Sequence, residues 1–390
     1  MNCINDVVII RYGEIALKGK YVRNRYEKTL ILNIKSMLDT CGIKYEDIIR
    51  DWGRIYIKTA DPRAIEAVVK VFGVVSASPA VTCEPTLESA ASVSAEIGRD
   101  LIKDHESFAI RPRRSGKHSF SSQEIGVACG NAVFEHIKDK YPRVDLTSPD
   151  KEIFIEIRQN YGFVFTDIVY GIGGLPLGTQ GRMVALVSGG IDSPVAAWLM
   201  MKRGCEIIPV FINNQPYSDE ASRRKALECI KVLQSWAPGR PLTVYEIPDG
   251  ESLSAFLSNC ESRYTCLLCR RMMYRIAHGI MNKENACGII TGSSLGQVAS
   301  QTAQNMMAET SGIHIPIYHP LIGFDKTEIV DIARNIGTYE PSILPGTDCK
   351  AVPEKPSTSA KISRIYHEEE KIDIQELLKH ALSGVKMVNF

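Results

Sequence analysis

A chain of 390 residues exceeds the ~150 of an ordinary domain and implies two to three of them. With 44% hydrophobic and 23% charged residues it is neither disordered nor fibrous. Its 46 Lys+Arg against 45 Asp+Glu leave a net charge of +1, which excludes a uniformly basic coat for nucleic acid but not a local basic patch.

Eleven cysteines, an odd number without the dense spacing of a secreted disulfide framework, point to a reducing compartment. The N-terminal residues lack a signal-peptide pattern, and no apolar run approaches the ~18 residues that span a bilayer. A cytoplasmic location with no membrane partner is expected.

In chain order, the first block (1–60) predicts a strand at 7–10, an amphipathic helix at about 21–40 and a strand at 54–57. Gly42 stands where a left-handed C-cap belongs. This block carries 11 Lys/Arg against 7 Asp/Glu, whereas residues 61–179 carry 13 against 16. Two basic clusters stand out: Arg11, Lys18, Lys20, Arg23, Arg25 and Lys28, then Arg111, Arg113, Arg114, Lys117 and His118. Either they are solvated faces or they contact a phosphate backbone; two clusters in one half of a neutral chain favour phosphate.

The Gly-rich stretch 171–181 reads as the main boundary. Beyond it strands and helices alternate: 183–187, 195–203, 206–212, 219–236, 242–247. That order predicts a parallel sheet with helices on both faces, an α/β doubly wound fold.

The strongest chemical signal follows the first of these strands: Ser188-Gly189-Gly190-Ile191-Asp192-Ser193, then a helix. Ser193 is placed as N-cap and Pro194 at the first helical position. Glycines let the backbone approach an anion, and free N–H groups at a helix start favour negative charge. Asp192 calls for a bridging Mg²⁺ beside phosphate. No Gly-Lys-Ser/Thr follows, so this is not a Walker A loop. The pattern resembles the PP-loop of ATP pyrophosphatases, which split ATP into AMP and pyrophosphate. The alternative is a tight turn chosen only for packing.

A second loop, 291–302, follows a short apolar strand at 288–290 and can reach the same crevice. The expected ATP-binding residues are Leu186, Val187, Ser188, Gly189, Gly190, Asp192, Ser193, Phe211, Gly292, Gln297 and Gln301, with Lys326 a further cation near the phosphates. Asp325 to Glu328 reads as a helix cap, closed by Gly337.

Cys266-Leu-Leu-Cys269 leads into a helical stretch at 270–281. The i, i+3 spacing puts both thiols on one side, and Arg270 and Arg271 are expected to favour thiolates. Cys349 lies in a Pro/Gly-bounded loop, 345–353. Three readings stand: Cys266, Cys269 and Cys349 hold an iron–sulfur cluster; Cys349 carries a persulfide resolved by the pair; or the thiols are inert or form a zinc knuckle, with Cys260, Cys287 and His278 as further candidates.

Leu295-Gly-Gln-Val-Ala-Ser-Gln-Thr302 is similar to a signature of the tRNA 4-thiouridine synthetase family. Ile10 to Gly19 resembles that family's opening, and Phe108 to Arg114, Phe120 to Glu124 and Val144 to Asp150 resemble a THUMP domain. The resemblance implies a ferredoxin-like α+β domain (1–60), a THUMP RNA-binding domain (61–170) and a PP-loop domain (178–390). It implies tRNA as substrate, ATP and Mg²⁺, sulfide or a sulfur-donor protein, and a homodimer. Its reaction adenylates O4 of uridine 8 and then transfers sulfur, with Asp192, Cys349, Cys266 and Cys269 as the catalytic set. Matching the members without a rhodanese domain, it implies an iron–sulfur cluster, expected as [4Fe-4S], and no thiazole-synthesis role. The rivals are a PP-loop ligase or amidase acting on a small molecule and a non-catalytic tRNA-binding adaptor.

Overall fold

In a computed structural model, which describes residues 5–347 and 349–389 so that Cys3 and Asp348 lie outside it, the chain forms two compact units divided between Gly174 and Leu175. The first contains β1 (Val7–Tyr12), α1 (Lys20–Thr40), β2 (Asp47–Asp51), β3 (Arg54–Lys58), α2 (Arg63–Val68), β4 (Val74–Cys83), α3 (Leu87–Leu101), β5 (Ser107–Arg114) and α4 (Ser122–His136). After these come β6 (Arg143–Val144), β7 (Lys151–Ile157), β8 (Gly162–Phe165) and β9 (Val169–Tyr170).

These strands form one sheet in the order β2-β3-β1-β4-β8-β7-β5-β6, with β9 against β4. The ten residues of β4 join its halves, pairing with β1 through residues 74–80 and with β8 through 81–83. On one side Val7, Ile9 and Tyr56 cluster with Phe163 and Phe165. In the other half, Phe108, Ile110, Ile153 and Ile155 pack with Ile125, Cys129 and Val133 of α4. Gly42 follows α1 with φ +63, the left-handed exit that its position implied. Ser121 and Glu124 close a capping box on α4, which gives that stretch a structural duty of its own.

The second unit runs β10 (Arg182–Leu186), α5 (Asp192–Lys202), β11 (Glu206–Asn213), α6 (Glu220–Ser235), β12 (Thr243–Pro248), α7 (Gly250–Asn259), α8 (Thr265–Lys283), β13 (Ile289–Ile290) and α9 (Ala303–Thr310). It closes with β14 (Ile317–Tyr318), α10 (Lys326–Ile336), α11 (Tyr339–Ser342), α12 (Ile362–Glu369), α13 (Ile374–Ser383) and β15 (Lys386–Asn389). The sheet order is β14-β13-β10-β11-β12-β15, parallel except for β15, which pairs antiparallel with β12. That last strand departs from the all-parallel expectation, because a short edge strand with exposed side chains carries little hydrophobic pattern. The chain leaves β10 toward β11 and β12, then returns to place β13 on β10's other side. Such a reversal opens a crevice at the strands' carboxyl ends. Among the described residues, no helix is long and apolar enough to cross a membrane.

Arg271, 1% exposed, ties three helices together. Its Nε and Nη2 donate to Glu369 at 2.8 and 3.0 Å, and its Nη1 donates to the carbonyls of Ala308, Glu309 and Ser311 at 2.6, 3.2 and 2.9 Å. It is therefore turned away from thiol chemistry, contrary to the expectation that it favours thiolates. Removing one partner of a buried pair leaves polar groups unmatched, so Arg271→Ala is expected to cost about 3–5 kcal/mol in urea unfolding. Burial alone would raise the Glu369 carboxyl, but hydrogen bonds from Arg271 and Arg275 outweigh it and hold the group below its ordinary value. The pair's contribution is thus complete above the unfolded carboxyl pKa of ~4.3 and is lost as pH falls through the lower folded value.

Candidate active site

At the end of β10 the chain turns through residues 187–191 into α5. Ser193 does not cap this helix, as the sequence suggested. The helix starts at Asp192, after Ile191, and has no side-chain cap. Ser193 Oγ instead turns back, accepting from the Ser188 N–H at 2.8 Å and lying 3.0 Å from Ser188 Oγ. The Gly190 N–H donates to Ser188 Oγ at 3.3 Å, so two serines lock the loop. Pro194 moves to the third helical position, still within the turn whose N–H groups have no helical partner.

Two glycines let this loop meet its neighbours. A Cβ on Gly189 would lie 2.7 Å from Lys225 Cβ and 3.0 Å from the Ser222 carbonyl oxygen on α6. A Cβ on Gly292, in the loop after β13, would lie 2.7 Å from Ser193 N and 2.8 Å from Ser193 Cα. Only glycine brings the β13 loop against the start of α5.

The crevice is a cavity of about 530 Å³. Leu186, Val187, Ser188, Gly189, Gly190, Asp192 and Ser193 line it from β10 and the phosphate loop, Phe211 from β11, and Gly292 and Gln301 from beyond β13. Gln297 stands outside the wall but donates to Asp192 Oδ2 at 2.9 Å. Lys326 Nζ, on the first residue of α10, lies 2.6 Å from Asp192 Oδ1. The Asp325–Glu328 capping box and Gly337 at φ +86 hold α10 as expected.

One wall was not read from sequence. Arg270, Met273 and Tyr274 line the cavity from α8, and their spacing from Cys266 along the helix is the signal that could have revealed them. Arg270 Nη2 donates to Ser293 Oγ at 2.5 Å, and its Nε lies 2.9 Å from Glu309 Oε2. Burial pushes Glu309 up to about 7 despite Arg270, and it lowers His319, which lies 2.7 Å from Thr291 Oγ1.

Cys349 lines the same cavity, and Cys266 and Cys269 lie at the start of α8. Burial raises both α8 thiols, Cys269 well above its ordinary value. Cys349 adds to the rise at each; Arg270 pulls Cys266 down, but by less. The expected thiolates are therefore corrected: desolvation outweighs the neighbouring guanidinium. Among the described residues no three His, Cys, Asp or Glu side chains stand close enough to hold a metal ion. The further zinc candidates are elsewhere. The Cys260 thiol donates to the Glu368 carbonyl at 3.4 Å, and Cys287 is bonded through its N–H to the Arg182 carbonyl at β10's opposite end. His278 lies nine residues beyond Cys269, roughly 13 Å along the helix.

The Cys349 loop is clasped to α6. Asp219 Oδ1 accepts from Ser222 N and Oγ, both at 2.8 Å, while Oδ2 accepts from Thr347 N and Oγ1, both at 2.9 Å. These bonds hold the Asp219 carboxyl far below the ordinary range. On the other side of Cys349, the Lys350 N–H donates to the Tyr217 carbonyl at 2.9 Å.

The two basic clusters belong to the first unit. Arg11 is half-buried, donates to Ser78 Oγ at 2.9 Å and lies 5.0 Å from the Phe165 ring centre; burial lowers its guanidinium to about 10. It is a packing residue, which sequence cannot distinguish from a surface cation. Arg23 donates to the Lys18 carbonyl at 3.0 Å, and Arg111 pairs with Glu152 at 2.6 Å. Lys20, Arg25, Lys28, Arg113, Arg114 and Lys117 are exposed, whereas Lys18 is partly covered.

Residues 178–374 match the family model for thiamine biosynthesis protein (ThiI), 7–78 the ThiI ferredoxin-like domain and 90–167 the THUMP domain. The chain is 58% identical over 385 residues to a "Probable tRNA sulfurtransferase" of Methanosarcina acetivorans, covering 98% of this chain and 93% of that one. A namesake from Caldanaerobacter subterraneus is 39% identical, over 96% and 97% of the two chains. The fold matches a crystal structure of a 4-thiouridine synthetase–RNA complex with bound ATP, with TM-score 0.89 and 32% identity over 99% of both chains. These matches run along nearly the whole sequence, and the chain belongs to the ThiI family of tRNA sulfurtransferases.

Proposed function

We propose that the chain makes 4-thiouridine at position 8 of tRNA, by ATP-dependent adenylation followed by sulfur transfer. One observation carries this reading: the phosphate loop and Cys349 border a single cavity. ATP lies along Ser188 to Ser193, its anion facing N–H groups at the uncapped start of α5. Uridine O4 attacks the α-phosphorus, pyrophosphate departs, and the N3 proton is released. Hydrosulfide then attacks C4 and AMP leaves with the former O4, while the S–H proton passes to N3. The carbonyl oxygen, a poor leaving group, departs as AMP.

Asp192 is the carboxylate that would hold Mg²⁺ together with phosphate oxygens, a donor set that suits this ion. Lys326, now on Asp192, would then turn to the phosphates and offset charge there. Uridine 8 must leave its surroundings to reach the cavity, at a cost of a few kcal/mol, roughly, for one unstacked base. The three cysteines suit iron chemically, but among the described residues they do not form a metal-holding group. Cys349 would take the outer sulfur of a donor protein's persulfide by thiol exchange, freeing the donor thiol. Cys266 would then displace that sulfur as hydrosulfide while a Cys349–Cys266 disulfide forms, which an external thiol reduces. An alternative carrier of the sulfide is an iron–sulfur cluster, expected as [4Fe-4S], on the same three thiols. Iron and acid-labile sulfide in protein purified without oxygen test it, and unchanged iron in Cys266→Ala refutes ligation by that residue. Thiol usage supports a cytoplasmic location, and the family likeness supports a homodimer, which light scattering tests.

The central experiment incubates the protein with tRNA, ATP, Mg²⁺ and sulfide, and measures thiolated nucleoside by mass spectrometry. AMP production without 4-thiouridine would sink the sulfur transfer and leave an ATP pyrophosphatase. Asp219→Asn keeps an acceptor for the α6 cap but presents N–H to Thr347, loosening the Cys349 loop. Misplacing a reacting group by ~1 Å costs about 100-fold, so thiolation kcat with a persulfide-bearing donor protein should fall by about 10- to 100-fold while the ATP KM stays within about twofold.

A further inference from the structure

The chain's three tryptophans are placed unequally. Trp198 and Trp236 meet edge to face in the second unit, ring centres 5.4 Å apart, whereas Trp52 at the β2–β3 turn is 72% exposed. Nothing about this turn is loose. Gly53, at φ +75, donates its N–H to the Tyr12 hydroxyl at 3.1 Å. The Trp52 carbonyl accepts from the nearly buried Arg158, which also holds Asp51 at 3.1 Å. The backbone is fixed, yet the indole projects into water.

Its surroundings are basic and apolar. The Arg23 guanidinium lies 5.9 Å from the Trp52 ring centre, bringing the first turns of α1 beside the hairpin. Leu17 and Tyr21, also strongly exposed, flank Lys18 and Lys20 in the same stretch. Two carboxylates close to the hairpin are engaged elsewhere, Asp51 with Arg158 and Glu27 with Arg50. Exposed aromatic surface rimmed by cations is complementary to a polyanion that carries flat rings.

We propose that Trp52 is a stacking platform for an unpaired nucleobase of the bound RNA, with Lys20 and Arg23 contacting the adjoining phosphates. An indole has only two side-chain torsions to lose on stacking, and a base of any identity presents a π-face to it. Specificity is then for an unpaired nucleotide at a helix end or loop, not for a particular sequence. The inference rests on RNA being the macromolecular ligand.

The test uses the full-length protein with a tRNA transcript and, in parallel, a blunt RNA duplex without unpaired bases. Since the other two indoles pack together, acrylamide quenching of tryptophan emission reports mainly on Trp52, and saturating tRNA should protect it. Trp52→Ala should raise the tRNA Kd about tenfold, the loss expected for one stacked base, with the salt dependence unchanged. Trp52→Phe, which keeps an aromatic face, should stay within about threefold of the parent. Lys20→Ala should reduce the salt slope by about one. Duplex affinity should not respond to Trp52→Ala. A tRNA Kd within twofold of the parent in Trp52→Ala overturns the platform, as does equal sensitivity of the duplex. If the unaltered protein binds tRNA but its Trp52 emission stays unprotected, the surface serves a protein partner instead and the proposal fails. Failure of the unaltered protein to bind tRNA at all overturns the RNA reading itself.

Discussion

Gly292→Ala is expected to weaken ATP binding by about 100-fold, roughly 2.7 kcal/mol, without unfolding the second unit. The added methyl would lie 2.7 Å from Ser193 N, 2.8 Å from Ser193 Cα and 3.0 Å from Asp192 C. All three are backbone atoms, so no flexible side chain can swing aside. The β13 loop and the start of α5 must separate, and the N–H groups of Ser188 to Ser193 then lose their common aim. Gly190→Ala supplies the contrast. Its Cβ would find Ser188 Oγ at 3.5 Å, ordinary contact, so its effect should be several-fold at most. Calorimetric titration with ATP and Mg²⁺ compares the two. An ATP affinity for Gly292→Ala within threefold of the parent would show that the loop junction does not build the site.

With a persulfide-bearing donor protein as the sulfur source, Cys349→Ser should lower 4-thiouridine formation by at least about 1,000-fold, while tRNA-dependent release of pyrophosphate and thiolation by free sulfide continue. A hydroxyl keeps the size and polarity of the side chain but cannot carry or exchange sulfur. Cys349 borders the nucleotide cavity but takes no part in the hydrogen bonds between the two serines that lock the phosphate loop, so adenylation should survive its loss. Cys41→Ser, exposed in the first unit, should change nothing and controls for general thiol effects. Parallel loss of pyrophosphate release in Cys349→Ser would instead assign this cysteine to the nucleotide step.

What was legible in the sequence was local. The Gly42 exit, the cap from Asp325 to Glu328 and the Gly337 stop depend on neighbours within a few residues, and each stands where its pattern placed it. Ten of the eleven expected nucleotide residues line one cavity because they flank strand ends, and strand ends on one side of a parallel sheet converge. Strand β2 was missed, since its side chains are mostly polar or half-exposed and leave no clean alternation.

What distance along the chain conceals, only the folded molecule decided. Whether Ser193 caps its helix or closes the loop onto Ser188 depends on which acceptor the turn brings nearer, and the turn won. Arg270 and Arg271 are adjacent in sequence, but a 100° step around the helix sends one to the cavity and the other to Glu369. Arg11 and Arg23 belong to one basic cluster, yet one is packed on Phe165 and the other over an exposed indole. The thiols follow the same rule: adjacent arginines suggested thiolates, but burial, a property of the whole fold, pushes Cys266 and Cys269 the other way. The resemblance to the family, the alternation of strands and helices after residue 181 and the phosphate loop were readable from residue order alone, because backbone chemistry is written in short runs of residues. Charge state, partners and the meeting of Asp192 with Lys326, 134 positions later, were settled by tertiary structure, because desolvation and long-range contact exist only once the chain is packed.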